Sequence, residues 1–196
     1  MLRRFPVLML TAVTALVLAG CATKLPEDRY PPMRFQDQPP IAVNIAKIEV
    51  EEQYRPPLKA PNIEHEIPLS PMSVMRNWAQ DRLKAVGTAG TGRFIITEAS
   101  VVRESLKKTG GIKGALTRDQ DERFTARFKA RLVVNTAGGL GSGFAEAFVE
   151  RSQTVPENMT LKERDDKLYA FIRAAGKEFN DEMELNIRRH LGPFLQ

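Results

Sequence analysis

The sequence predicts an α+β fold: a two-layer sandwich of order β-α-β-β-β-α, in which an antiparallel meander carries two helices on one face. Three observations lead there. Phe124, Ala126, Phe128, Ala130, Leu132 and Val134 alternate strictly with Arg123, Thr125, Arg127, Lys129 and Arg131, the pattern of a strand with one buried and one wet face. Leu161, Leu168, Ile172, Ala175, Phe179, Met183 and Ile187 recur at helical spacing. A shorter helical series, Met72, Met75, Ala79, Leu83 and Val86, lies between two strand-like segments.

At the N-terminus, Arg3 and Arg4 precede an uncharged apolar run from Phe5 to Leu18, then Ala19-Gly20 and Cys21. A basic start, an apolar run and small residues at a cleavage site are the layout of a secretory signal. The run is about 14 residues, shorter than the roughly 20 that a spanning helix needs. Residues 1–20 are therefore expected to be a signal peptide that is removed. Residues 21–40 hold Cys21 and a tether rich in proline (Pro26, Pro31, Pro32, Pro39, Pro40), expected to be extended at about 3 Å per residue. Residues 41–196 then form one domain.

Within that domain Ile41, Val43 and Ile45 alternate, and Ile48 and Val50 continue on the opposite phase. A slip of one residue predicts a bulge or bend in a first strand over residues 41–51. Residues 54–69 are a proline-rich connection. Ser70-Pro71 is an N-cap followed by proline at the first helical position. Trp78 flanks the helical face, and Gly87 is placed to end the helix. Residues 93–106 read as a second strand, and residues 107–121 as a long basic loop with Lys107, Lys108, Lys113 and Arg118. Gly138, Gly139, Gly141 and Gly143 turn the third strand into a fourth, from about Phe144 to Val155. Thr160 and Glu163 form a capping box for the last helix, which Gly192-Pro193 stops. Gly176 inside this helix serves either close packing or a bend. At about 45 Å the helix either overhangs the sheet or wraps the core. The place of the first strand in the sheet is open.

The 196-residue chain has a net charge of +5 and a pI near 9.5. Loss of Arg3 and Arg4 with the signal lowers the charge to +3, so the pI overstates how basic the mature protein is. No nucleic-acid motif is present, and no nucleic-acid partner is expected. Cys21 is the single cysteine, so packing rather than a disulfide must hold the domain. No catalytic constellation, nucleophile elbow, P-loop or dinucleotide fingerprint occurs. His65 and His190 stand apart without metal-ligand spacing and read as surface histidines. Gly138 to Gly143 is a hairpin turn with no helix N-terminus behind it to hold a phosphate. Asp165-Asp166 lies in a first helical turn, where the dipole favours it. No enzyme activity, cofactor or metal is expected.

The outward face of the third strand carries Arg127, Lys129 and Arg131. Two phases are open for the fourth. With Ala145, Ala147 and Val149 inward, Phe144, Glu146, Phe148 and Glu150 stand outward beside the cations, a face suited to an anionic lipid or a protein partner. In the other phase the phenylalanines belong to the core.

The four residues Leu18-Ala19-Gly20-Cys21 resemble the lipobox of bacterial lipoproteins. The resemblance implies cleavage before Cys21 and its acylation, with enough acyl chains for stable membrane anchoring. Ala22 follows, not Asp, which resembles the pattern of proteobacterial lipoproteins sent on to the outer membrane, facing the periplasm. The order of elements resembles periplasmic lipoproteins that assist envelope transporters: the ABC-transport auxiliary lipoproteins, the lipoprotein partner of the lipopolysaccharide-assembly barrel, and the N-terminal domain of the Tol-system propeller protein. The pieces are the lipobox, the strand 41–50, the helix around Trp78 and Leu83, the hairpin 124–134 and 144–155, and the helix 161–190. The basic loop departs from the compact versions. This resemblance implies a non-catalytic accessory or scaffold subunit in envelope transport or assembly, with an envelope protein as partner. A periplasmic module binding lipid or lipopolysaccharide is the alternative.

Overall fold

A computed structural model describes residues 29–106, 120–139, 141–156 and 159–196. The expected signal peptide, the lipobox with Cys21, and nearly all of the basic loop lie outside these residues. Eight principal elements run in order: β1 (Ile41–Val43), β2 (Lys47–Glu52), α1 (Pro71–Arg82), β3 (Leu83–Ala85), β4 (Thr91–Ser105), β5 (Gln120–Asn135), β6 (Ser142–Pro156) and α2 (Leu161–His190).

The main sheet has the order β2-β4-β5-β6. β4, β5 and β6 are the expected antiparallel meander. β2 joins its edge in parallel with β4, so the sheet is mixed and not wholly antiparallel. The alternating strand predicted over 124–134 extends in both directions as β5. Its inward residues Phe124, Ala126, Phe128, Ala130, Leu132 and Val134 are all buried. A register shift near Thr97 in β4 lets Phe94 and Ile96, before it, share the inner face with Ala99 and Val101, after it.

The phase slip at residues 45–48 has a different origin from the expected bulge. The chain turns at Asn44–Ala46, and the two phases belong to two strands in two sheets. β1 pairs in parallel with β3, Ile41 beside Leu83 and Val43 beside Ala85. The chain's last residues cover the other side of β1: Asn44 donates its N–H to the Phe194 carbonyl at 2.8 Å, and Gln196 to that of Ala42 at 3.1 Å.

α1 starts where expected, Ser70 Oγ accepting the Ser73 N–H at 3.2 Å with Pro71 in the first turn. It ends earlier, at Arg82. Leu83, read as helical, instead begins β3, because its backbone finds partners in β1. Val86 also lies beyond the helix. The buried face is Pro71, Val74, Met75, Trp78, Ala79 and Arg82, with Trp78 at its centre rather than its flank. Gly87 does not cap the helix. A Cβ there would lie 2.7 Å from the Asn44 carbonyl carbon and the Ile45 nitrogen, so Gly87 permits a close backbone crossing. Arg82 is buried and pairs with Glu184 of α2 and the Pro39 carbonyl.

α2 spans Leu161–His190 with the complete Thr160/Glu163 capping box. Buried residues recur from Leu168 to Ile187, so the helix packs along nearly its whole length. Gly176 serves close packing: a Cβ would lie 2.8 Å from Val74 Cγ1 and 2.9 Å from Met33 Sδ. Both helices cover the same sheet face. Trp78 stacks on Phe94 at 5.3 Å between ring centres, meets Phe179 edge-on at 5.7 Å, and donates its indole N–H to Asn180 Oδ1 at 2.9 Å.

Residues 29–40, expected as tether, lie on the helices. Met33 and Phe35 are buried in the core. The Arg34 guanidinium and the Phe35 N–H both bond the Asp81 carboxylate, the latter at 2.9 Å. Tyr169 donates its hydroxyl to the Pro31 carbonyl at 2.7 Å, and Tyr30 its own to Asp166 at 2.9 Å. The stretch is not extended throughout, since it turns at residues 36–38 with Gln38 N–H on the Phe35 carbonyl at 3.3 Å, and its apolar side chains fill a groove between α1 and α2.

Two measurements check this packing. Gly176→Val overpacks the α1–α2 crossing, and chemical denaturation should show a loss of about 1–3 kcal/mol. Hydrogen bonding from Arg34 holds the Asp81 carboxyl below its ordinary pKa. The stability it contributes is present above the unfolded carboxyl pKa of about 3.9 and is lost as pH falls through the lower folded value. Asp81→Asn should therefore destabilise at neutral pH and flatten the acid limb of the stability curve below about pH 4.

Candidate functional site

The helices shield one face of the sheet, and the opposite face is open to solvent. The register decides which side chains stand on it. Opposite residues in an antiparallel pair share a face, and β5–β6 pairs Val133 with Phe144, Arg131 with Glu146, Lys129 with Phe148, and Arg127 with Glu150. The partners Ala145 and Ala147 are buried inward. The first of the two phases open from sequence is thus the one adopted. Phe144 is 56% exposed and Phe148 52%. Four residues apart on one strand, they stand about 13 Å from each other. All five residues expected on this face, Arg127, Lys129, Arg131, Phe144 and Phe148, come together there.

The cations are partnered. Arg127 Nε donates to Glu150 at 2.6 Å, and Arg131 Nη2 to Glu146 at 2.8 Å. Lys129 Nζ lies 3.5 Å from Glu146. The Arg131 guanidinium also sits 4.8 Å from the Phe144 ring centre. Toward the other edge, Arg93 meets Glu51 at 3.3 Å and Lys47 meets Glu49 at 2.5 Å. Solvated pairs of this kind are worth about 0–1 kcal/mol each, so they set the character of the surface more than its stability. The face is charge-balanced, with two large apolar rings in it.

At the end of the face, beside the C-terminal turn of α2, lies a cleft of about 760 Å³ lined by Arg131, Val133, Phe144, Glu146, Asn186 and His190. Asn186 Nδ2 donates to the Glu146 carbonyl at 3.0 Å, satisfying a group on the sheet's edge strand. Sequence reasoning placed His190 at a helix end and did not single out Asn186. Both reach the cleft because α2 runs the full length of the sheet beneath β6. Val133, half-buried, extends the apolar character of the face, and Ile95 beside Arg131 points to the same side but is buried. Ile95 escaped notice because the irregularity at Thr97 reverses the phase of β4.

His65 pairs with neighbouring Glu66 at 3.5 Å, far in the fold from His190. Among the described residues no group of three His, Cys, Asp or Glu side chains is placed to hold a metal, and no helix is long and apolar enough to cross a membrane. One buried carboxylate stands out. Glu64 accepts hydrogen bonds from the Tyr54 hydroxyl at 2.8 Å and the Val101 N–H at 3.2 Å. Burial, then the bond to Glu64, raises the Tyr54 pKa. The cluster clasps residues 54–64 to β4, where Asn62 forms a bridge with Val102.

If the rings of Phe144 and Phe148 are held for contact rather than for packing, removing them leaves the fold intact. Phe144→Ser and Phe148→Ser should each change unfolding free energy by less than about 0.5 kcal/mol. Phe128→Ala, on the inner face, should cost about 3–5 kcal/mol in the same urea titration.

No family model matches the chain, and no curated protein does. Among solved structures, the chain is similar to a minor lipoprotein from Acinetobacter baumannii, with a TM-score of 0.37 at 11% identity over 71% of this chain and 91% of that one. It is also similar to a Xanthomonas campestris protein of family DUF330, with a TM-score of 0.31 at 8% identity over 83% of this chain and 88% of that one. Superpositions this loose carry no argument about function.

Proposed function

We propose that this chain is a non-catalytic lipoprotein of the bacterial outer membrane, anchored through Cys21 and facing the periplasm, that serves as an accessory or scaffold subunit in envelope transport or assembly. Its open sheet face is the partner surface. The observation that carries this reading is the exposure of Phe144 and Phe148 among cations already paired, Arg127 with Glu150, and Lys129 and Arg131 sharing Glu146. Exposed aromatic rings beside arginines have the composition of a contact surface, since aromatic and arginine side chains are the usual anchors of protein interfaces. The charge balance favours a protein over an anionic lipid or lipopolysaccharide, which would have to displace Glu146 and Glu150 from their partners. The lipobox Leu18-Ala19-Gly20-Cys21 supports the anchor.

Two experiments test it. Radiolabelled palmitate should mark the mature chain, and Cys21→Ser should abolish the label and release the protein from the outer-membrane fraction. A photo-crosslinking amino acid at position 148 should capture a discrete envelope protein in living cells, whereas one at Lys167 on α2 should not. Equal or absent capture at both positions would rule out the sheet face as the partner surface.

A further inference from the structure

Resting on the lipid anchor proposed above, we infer that the helix layer faces the bilayer, and that the cleft between residues 33–38 and α2 receives the phosphate of a membrane phospholipid headgroup.

The leash is short. Only seven residues, eight steps along the chain, separate Cys21 from Arg29, and at 3.3–3.6 Å a step they span at most about 29 Å. The chain joins the fold on the helix layer. The Tyr30 ring lies 5.3 Å from that of Tyr169, and the Pro31 carbonyl accepts the Tyr169 hydroxyl. An acylated Cys21 therefore keeps the N-terminal half of α2, on the side of the sandwich opposite the open sheet face, within about 29 Å of its lipid.

The charge distribution agrees with that placement. The cleft, about 390 Å³, is lined by Met33, Arg34, Asp37, Arg173, Lys177 and Asn180 among others. Arg34 is committed to Asp81. Arg173 and Lys177 are exposed, one helical turn apart, and have no carboxylate partner among the described residues; Arg173 donates instead to the Tyr169 hydroxyl at 3.2 Å and lies over its ring. Arg127, Lys129 and Arg131 on the sheet face are paired with carboxylates, whereas among the described residues these two cations beside the leash are not. Asp37 is the acidic group at the rim. Paired tyrosines next to unpaired cations match the headgroup zone, where amphipathic rings settle and anionic lipids attract Lys and Arg. The sheet face is then presented to the periplasm, free for a partner.

The test has two arms. In the first, the Cys21→Ser chain is titrated with vesicles of phosphatidylcholine alone and of phosphatidylcholine mixed with phosphatidylglycerol. Binding should require phosphatidylglycerol and fall about fivefold for each cation removed, in Arg173→Ala, Lys177→Ala and the double variant. Indifference to phosphatidylglycerol or to both substitutions would overturn the headgroup site. In the second, the lipidated chain in the mixed vesicles carries a fluorophore on Ala170→Cys or Phe148→Cys. A headgroup quencher should dim the label at 170 and spare that at 148; equal quenching, or the reverse, would overturn the orientation. Failure of the lipidated chain to float with vesicles of either composition overturns the anchor itself and, with it, the orientation, while the first arm still decides the cleft.

Discussion

Trp78 stacks on Phe94 of the sheet, meets Phe179 of α2 edge-on and donates its N–H to Asn180, so a single buried side chain ties α1 to both the sheet and the long helix. Its polar tip needs that acceptor, because a buried N–H without one costs about 1–3 kcal/mol. The helix crossing is fixed around it. Gly176 allows Val74 to approach, and Met33 seals the junction from outside. The Arg82–Glu184 pair closes the far end. Anything that turns α1 away from α2 would break all of these together.

This arrangement leaves the rest of the molecule little choice. Two helices have surface for one face of a four-stranded sheet, and β5 is patterned so that only one of its faces is apolar. The other face must remain wet or find a partner. Charge pairs make it soluble: Arg127 with Glu150, and Arg131 with Glu146. Phe144 and Phe148 are the exception: each stays more than half exposed, even with the Arg131 guanidinium over the Phe144 ring. The N-terminal segment meanwhile completes the helix layer. Its attachment makes the two sides of the sandwich unlike, one bearing the N-terminal segment and the other an open β surface.

Much of the local structure was legible because it is written in short-range patterns. The period of two in β5, the 3.6-residue period in α2, Ser70-Pro71 and the Thr160/Glu163 box each depend on neighbours within a few residues, and each appears where expected. The misreadings share a cause. Leu83 and Val86 sit at good helical spacing after Ala79, but β1 offers backbone partners that outcompete another helical turn. Met33 and Phe35 lie among prolines and polar residues that look like linker, but a groove existed for them. In β6 both phases put apolar residues on each face, so the pattern alone did not choose.

By itself the sequence determined the α+β class, the boundaries of the long helix and the polarity of β5, since each follows from composition and spacing along the chain. Only the tertiary structure decided that β1 and β2 belong to different sheets, that β2 runs parallel to β4, that the N-terminal segment starts at the helices, and that Phe144 and Phe148 stand in water. Those outcomes turn on contacts between residues far apart in sequence, such as Ile41 with Leu83, Glu49 with Arg93 and Phe148 with Lys129. Which distant partner a segment meets depends on the geometry of the whole fold, and no local period encodes it.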